Sequence, residues 1–145
     1  MTFSDILKRL AILVDDRLPA VHPLRGRIWG VVADPKQGQH TWSVLEPVGS
    51  ARDLVPGNFT FQTDARLWAI FFPPEGNWSA ADVEAYMEEA ALALVGASSA
   101  LCTQPHREGE NFLVLDCFLT GAGTTSANQE GGFVVEVPFS LTAQF

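Results

Sequence analysis

The stretches NFLVLDCFLT (Asn111–Thr120) and FVVEVPFSLTAQF (Phe133–Phe145), joined by GAGTTSANQEGG (Gly121–Gly132), decide the fold. On the first arm Leu113, Leu115, Cys117 and Leu119 fall on one side of an extended chain. On the second, Phe133, Val135, Val137, Phe139 and Leu141 do the same, with Glu136, Ser140 and Thr142 opposite. Successive strand side chains point to opposite faces, so this alternation predicts two strands, each with one buried face. The glycine-rich linker neither ends nor begins a helical pattern. The arms are therefore expected to form one long C-terminal β-hairpin with Gly121–Gly132 as its loop.

Ahead of this hairpin, Ser99–Pro105 and Asn111–Thr120 read as a shorter one turning at Glu108-Gly109-Glu110-Asn111. With Gly109-Glu110 as the loop of a type II′ turn, Cys102 falls opposite Cys117. In a reducing cytosol the two are expected to remain neighbouring thiols. Ser79–Gly96 predicts a helix. Ser79 and Asp82 form an approximate capping box, and Val83, Tyr86, Met87, Ala90 and Leu94 make the core stripe. Glu84, Glu88 and Glu89 lie outside that stripe, and Gly96 closes the helix.

Asn58–Phe72 is a long strand ended by Pro73-Pro74. Phe59 and Phe61 oppose Gln62, Asp64 and Arg66; from Leu67 onward both faces are apolar. That change predicts passage into the centre of the domain, or cover by another subunit. Arg27–Ala33 and His40–Val48 are shorter strands around Asp34-Pro-Lys-Gln-Gly38, with Pro47 marking an edge or a strand end. Ser4–Arg17 is an amphipathic helix capped by Ser4, burying Ile6, Leu7, Leu10, Leu13 and Val14. The expected fold is α+β: two helices packed on a mainly antiparallel, twisted β-sheet with a long C-terminal β-hairpin, in a single domain over 1–145.

A chain of 145 residues, 47% hydrophobic and 18% charged, can build one real core and is not of disordered composition. Residues 1–66 hold eight basic and seven acidic side chains; residues 67–145 hold Arg107 against ten acids, a net of −9. So acidic a half-chain cannot make a groove that attracts phosphates, which disfavours ordinary nucleic-acid binding. It can instead be a solvated face, or line a passage that DNA traverses without sticking. No apolar run suits a signal peptide or approaches the ~20 residues that span a bilayer, so a cytosolic protein without membrane contact is expected.

No motif for catalysis or metal binding stands out. His22, His40 and His106 are scattered, without H-x-x-x-H or H-E-x-x-H spacing. Two cysteines cannot supply the roughly four ligands of a structural zinc site. Asp15-Asp16 and Glu88-Glu89 sit on helices, where adjacent side chains diverge by about 100°, so neither pair is an acid/base dyad. Gly121-Ala-Gly123 follows a strand, but Ser126 replaces the third glycine of a dinucleotide fingerprint and a strand follows. No enzyme, cofactor or metal is expected. What remains is the Gly121–Gly132 segment as an assembly loop that orders against a neighbouring subunit, through Gly121, Gly123, Thr124, Thr125, Asn128, Gln129, Glu130 and Gly132.

In its order of elements the chain resembles the tail terminator (tail-completion) proteins of long-tailed bacteriophages and phage-like particles. The points of likeness are the opening helix Ser4–Arg17, the strand Asn58–Phe72 ending in Pro-Pro before the helix Ser79–Gly96, and the paired strands Asn111–Thr120 and Phe133–Phe145. The resemblance is one of layout across nearly the whole chain. It implies a structural virion protein forming a homo-hexameric ring that ends the tail tube and joins it to the head connector. Its partners would be further copies of itself, the tail-tube protein and the head-tail connector proteins. DNA would pass through the lumen without specific binding. Such a protein is made in the bacterial host cytoplasm and resides in the tail or neck of the virion. Other neck and tail-tube proteins of the same particle type are the nearest alternative. A different one is a small-molecule binding α+β domain with Trp29, Trp42, Trp68 and Phe72 lining an apolar pocket.

Overall fold

A computed structural model describes residues 3–28, 40–45, 51–72, 79–103, 111–127 and 132–145. Their elements are α1 (Phe3–Arg17), β1 (Thr41–Leu45), β2 (Arg52–Val55), β3 (Thr60–Phe71), α2 (Ala80–Thr103), β4 (Leu113–Leu119), β5 (Thr124–Ala127) and β6 (Phe133–Gln144). The fold is α+β, with two helices against one face of a six-stranded antiparallel sheet. The sheet is effectively four positions wide. β3 and β6 are its centre, β1 and β2 share the free side of β3, and β4 and β5 share the free side of β6.

The central pair is long because both sequences alternate in phase. Ala65 opposes Phe139, Leu67 opposes Val137 and Ala69 opposes Val135, all on the face that meets the helices. With Trp42, Val44, Phe71, Leu141 and Ala143 they form the sheet's half of the core. The other half is Ile6, Leu7, Leu10, Leu13 and Val14 of α1 and Val83, Ala90, Leu94, Ala97 and Leu101 of α2. The far face of β3's C-terminal half is covered only in part: Ile70 is 3% exposed, while Trp68 and Phe72 are half-buried. On that far face Arg66 and Glu136 form a half-exposed ion pair at 3.4 Å.

Pro138 sits in a central strand where a proline would ordinarily break the ladder. Its carbonyl accepts from Thr120 N–H at 3.1 Å, so its nitrogen also faces the β4–β5 side. That side is interrupted between Leu119 and Thr124, so the missing N–H deprives no strand of a donor. The interruption also revises the expected hairpin. β4 and β5 both pair antiparallel with β6, but Thr124–Ala127, read as loop, is a strand opposite Phe133–Glu136. It escaped the alternation test because it is an edge strand made of small and polar residues.

Three further expectations are corrected. α2 does not close at Gly96 but runs to Thr103, so Ser99–Thr103 is helix and the hairpin around Glu108–Asn111 does not form as read. The helical period continues through buried Ala93, Leu94, Ala97, Ser98 and Leu101. Gly96 is a close-approach site, where a Cβ would meet the Arg17 side chain at 3.2 Å. In β4 a bulge at Leu115 breaks the single face: Val114 and Cys117 are buried while Leu113 and Leu115 are exposed. A bulge places two residues against one and inverts the alternation beyond it. The first helix begins at Phe3, so Ser4 lies within its first turn. Ser79 does cap α2: its N–H donates to Asp82 Oδ2 at 2.7 Å and its Oγ accepts from Asp82 N–H at 3.4 Å.

The strand expected at Arg27–Ala33 is represented by Ile28, a single parallel bridge to Trp42. Its residues 29–33, the turn at 34–38, positions 46–48 including Pro47, Pro73-Pro74, and residues 104–110 with His106 lie outside the described residues.

Candidate assembly surface

The predicted assembly segment resolves into three different environments. Gly121 is exposed at the interruption, and Gly123 is a close packing point, where a Cβ would lie 2.7 Å from Met87 Sδ. Thr124 and Thr125 belong to β5, and Thr125 Oγ1 lies 3.4 Å from Met87 Sδ. Gly132 is buried, and a Cβ there would approach the Phe71 carbonyl to 2.9 Å. Asn128, Gln129 and Glu130 lie outside the described residues. The described part is thus an edge strand anchored at both ends by glycines packed on α2 and β3.

A stronger surface feature lies at the opposite end of β6, and the sequence reading missed it. Residues 51–59 are exposed without interruption: β2 and its turn into β3 project from the core. The turn is Val55-Pro56-Gly57-Asn58, closed by Asn58 N–H to the Val55 carbonyl at 3.0 Å. Gly57 supplies the φ of 82° that position three of a type II turn requires, after proline at position two. This Pro-Gly signal was visible in the sequence. Phe59 follows with φ 52°, a left-handed backbone rare for a bulky residue, and its side chain is 65% exposed. The chain end holds it there, Phe145 N–H donating to the Phe59 carbonyl at 2.9 Å.

Register carries this apolar end across the whole sheet. Val55 opposes Thr60, Thr60 opposes Gln144 and Gln144 opposes Leu113, one row from edge to edge. Three strand spacings make the row about 14 Å wide. Leu54, Val55 and Phe59 are exposed on one edge, Leu113 and Leu115 on the other, with Phe118 further along β4. Large apolar side chains gathered in this way mark contact surfaces more often than scattered ones do. Charges flank them: exposed Arg52 meets exposed Asp64 at 3.6 Å and donates to Oε1 of half-buried Gln62 at 3.1 Å.

The titratable groups sit elsewhere. His22 is buried between the segment after α1 and α2; its Nδ1 accepts from Leu24 N–H at 3.1 Å and its Nε2 lies 3.0 Å from the Tyr86 carbonyl. Since a carbonyl only accepts, Nε2 carries the proton and the ring is neutral. Burial lowers its pKa; the Tyr86 carbonyl and Glu89, 3.7 Å away, oppose that shift. His40, on the other flank of Phe71, accepts from Phe72 N–H at 3.0 Å, and burial, Arg27 and His22 lower its pKa.

Cys102 and Cys117 are both free thiols. They are neighbours because α2 packs on β4, not because two strands pair: Cys117 Sγ lies 3.3 Å from Ser98 Oγ, one turn before Cys102. Burial pushes the Cys117 thiol up to about 11 and raises that of Cys102.

Trp42 and Trp68 do not line one pocket. Trp42 faces the helices, fully buried, with its Nε1–H on the Leu24 carbonyl at 2.7 Å; Trp68, one strand over, opposes Ser43 and Glu136 on the far face. Phe72 is half-buried beyond β3 and Trp29 lies outside the described residues. Among the described residues no three His, Cys, Asp or Glu side chains gather as a metal site would. Nor is any described helix long and apolar enough to cross a membrane. No protein-family model matches the chain, and no curated protein matches its sequence.

Proposed function

We propose that this protein is a structural ring subunit of a phage or phage-like tail, terminating the tail tube and joining it to the head connector. The observation that carries the reading is the open sheet itself. Both edges that stay unpaired among the described residues expose apolar side chains at the same end, Leu54, Val55 and Phe59 on one and Leu113 and Leu115 on the other. Unpaired sheet edges invite pairing with another chain. Two such edges per subunit suit a closed ring of copies, hexameric by the resemblance. Asp82, Glu84, Glu88 and Glu89 on the exposed side of α2 are the acidic face that this reading assigns to the lumen, where like charge lets DNA slide. The same features fit other neck and tail-tube rings of such particles.

Native mass spectrometry at micromolar concentration, alone and with the tail-tube protein, tests the reading. A closed oligomer in either condition is the expected result. A strict monomer in both refutes it.

A further inference from the structure

The geometry points to one mode of self-contact: the β2 edge of one copy lies against the β4 edge of the next, with Arg52 facing Asp116. This inference rests on the ring reading and specifies its interface. β2 and β4 occupy opposite edges of the sheet, so a contact between them is head-to-tail, and each copy uses each edge once. Head-to-tail contacts that close generate rings.

Strand direction permits the contact. Neighbours alternate in direction across β2, β3, β6 and β4, so β2 and β4 run oppositely. Bringing them side by side by a rotation about an axis along the strands continues the antiparallel order.

Register then selects the partners. Val55, Thr60, Gln144 and Leu113 share one row. Arg52, Gln62, Thr142 and Asp116 share another. A neighbour at the same height therefore sets Val55 against Leu113 and Arg52 against Asp116, apolar to apolar and cation to anion. Between these rows both edges carry their irregularity, β2 between Asp53 and Val55 and β4 between Val114 and Asp116. The extra residues are Leu54 and Leu115, both about half exposed. Two bulged edges cannot accept an arbitrary flat strand, whereas matched bulges at one height accept each other.

Cysteine pairs test the contact directly. Val55→Cys and Leu113→Cys are made singly and together, assembled at micromolar concentration with the tail-tube protein, and oxidised with copper(II)-phenanthroline in air. The double variant is expected to give a ladder of cross-linked multimers on a non-reducing gel, while each single variant and the wild type give none. Cross-linking of either single variant to itself as strong as that of the double variant overturns the head-to-tail pairing. So do rings that assemble normally without any Val55–Leu113 cross-link, and in that case the ring reading survives. A wild-type chain that stays monomeric overturns the ring reading and this inference together. In parallel, Arg52→Glu and Asp116→Arg each weaken assembly by roughly tenfold, and combining them restores it. A double variant no better than the worse single one removes the charge contact. Both positions are exposed, and circular dichroism checks the fold.

Discussion

Replacing His22 by alanine should destabilise the protein strongly at neutral pH and less in mild acid. At pH 7.5 the substitution leaves the buried Leu24 N–H without its acceptor at 3.1 Å and removes the hydrogen bond at 3.0 Å to the Tyr86 carbonyl, which stays within the ladder of α2. The unsatisfied N–H costs about 1–3 kcal/mol and the lost bond to the carbonyl about 1 kcal/mol, so the loss is on the order of 3 kcal/mol. Through His22, acid acts on the wild type alone. Protonating Nδ1 would point two N–H groups at each other, at Leu24, and would place a cation in a site 4% exposed. The unfolded chain binds a proton near pH 6.5 that the folded chain refuses, so stability falls as pH drops through that value. Between about pH 7.5 and 5.5 the wild type therefore loses stability through His22, and the alanine variant loses none of it. His40 is shifted the same way chiefly by burial and Arg27, which both proteins share, and only its smallest cause, the charge of His22, is lost with the substitution. Urea unfolding of both at the two pH values is the assay. The stability gap should be narrower at the lower pH. A gap that stays constant shows that burial does not depress the histidine. A gap that widens shows that Glu89 holds it charged instead, 3.7 Å away.

Three further outcomes can be measured separately. Gly132→Ala should destabilise by about 2 kcal/mol or more, because the new methyl meets the backbone carbonyl of Phe71, whereas Gly123→Ala should cost about 1 kcal/mol because the Met87 side chain can move; thermal melts rank them. Ellman's reagent at pH 8 should leave Cys117 unreacted in the native protein, with its thiol pKa near 11, and should count two thiols on unfolding without reductant. A count of zero would reveal a disulfide. Deleting 122–130 removes β5 and strips Phe133–Glu136 of their edge partner, so the deletion should lower the melting temperature as well as affect any assembly. An unchanged melt would show that β5 adds nothing to the sheet.

Much of the fold was legible because hydrophobic period is a local property. The stripe of α1, the Ser79–Asp82 cap, the extent of β3 and the alternation of β6 all follow from side chains a few residues apart. The errors arose where a local signal had two meanings. Gly96 reads as a helix stop, yet here it admits the Arg17 side chain within a continuing helix. Leu113 and Leu115 read as core with Cys117, until the bulge turns them outward. β5 carries no apolar period, because an edge strand is held by backbone bonds and not by burial.

The candidate surface was less legible still. The sequence located attention on Gly121–Gly132, whereas the exposed apolar rows join Val55 to Leu113, 58 positions apart, through the register of two intervening strands. By itself, then, the chain's sequence determined its α+β class, its helix faces and its central strands, since each depends on periodicity within one segment. Only the tertiary structure decided which edges stay open, which leucines face solvent and which charges share a height. Those depend on pairing between distant segments, and a single inserted residue in a strand inverts them.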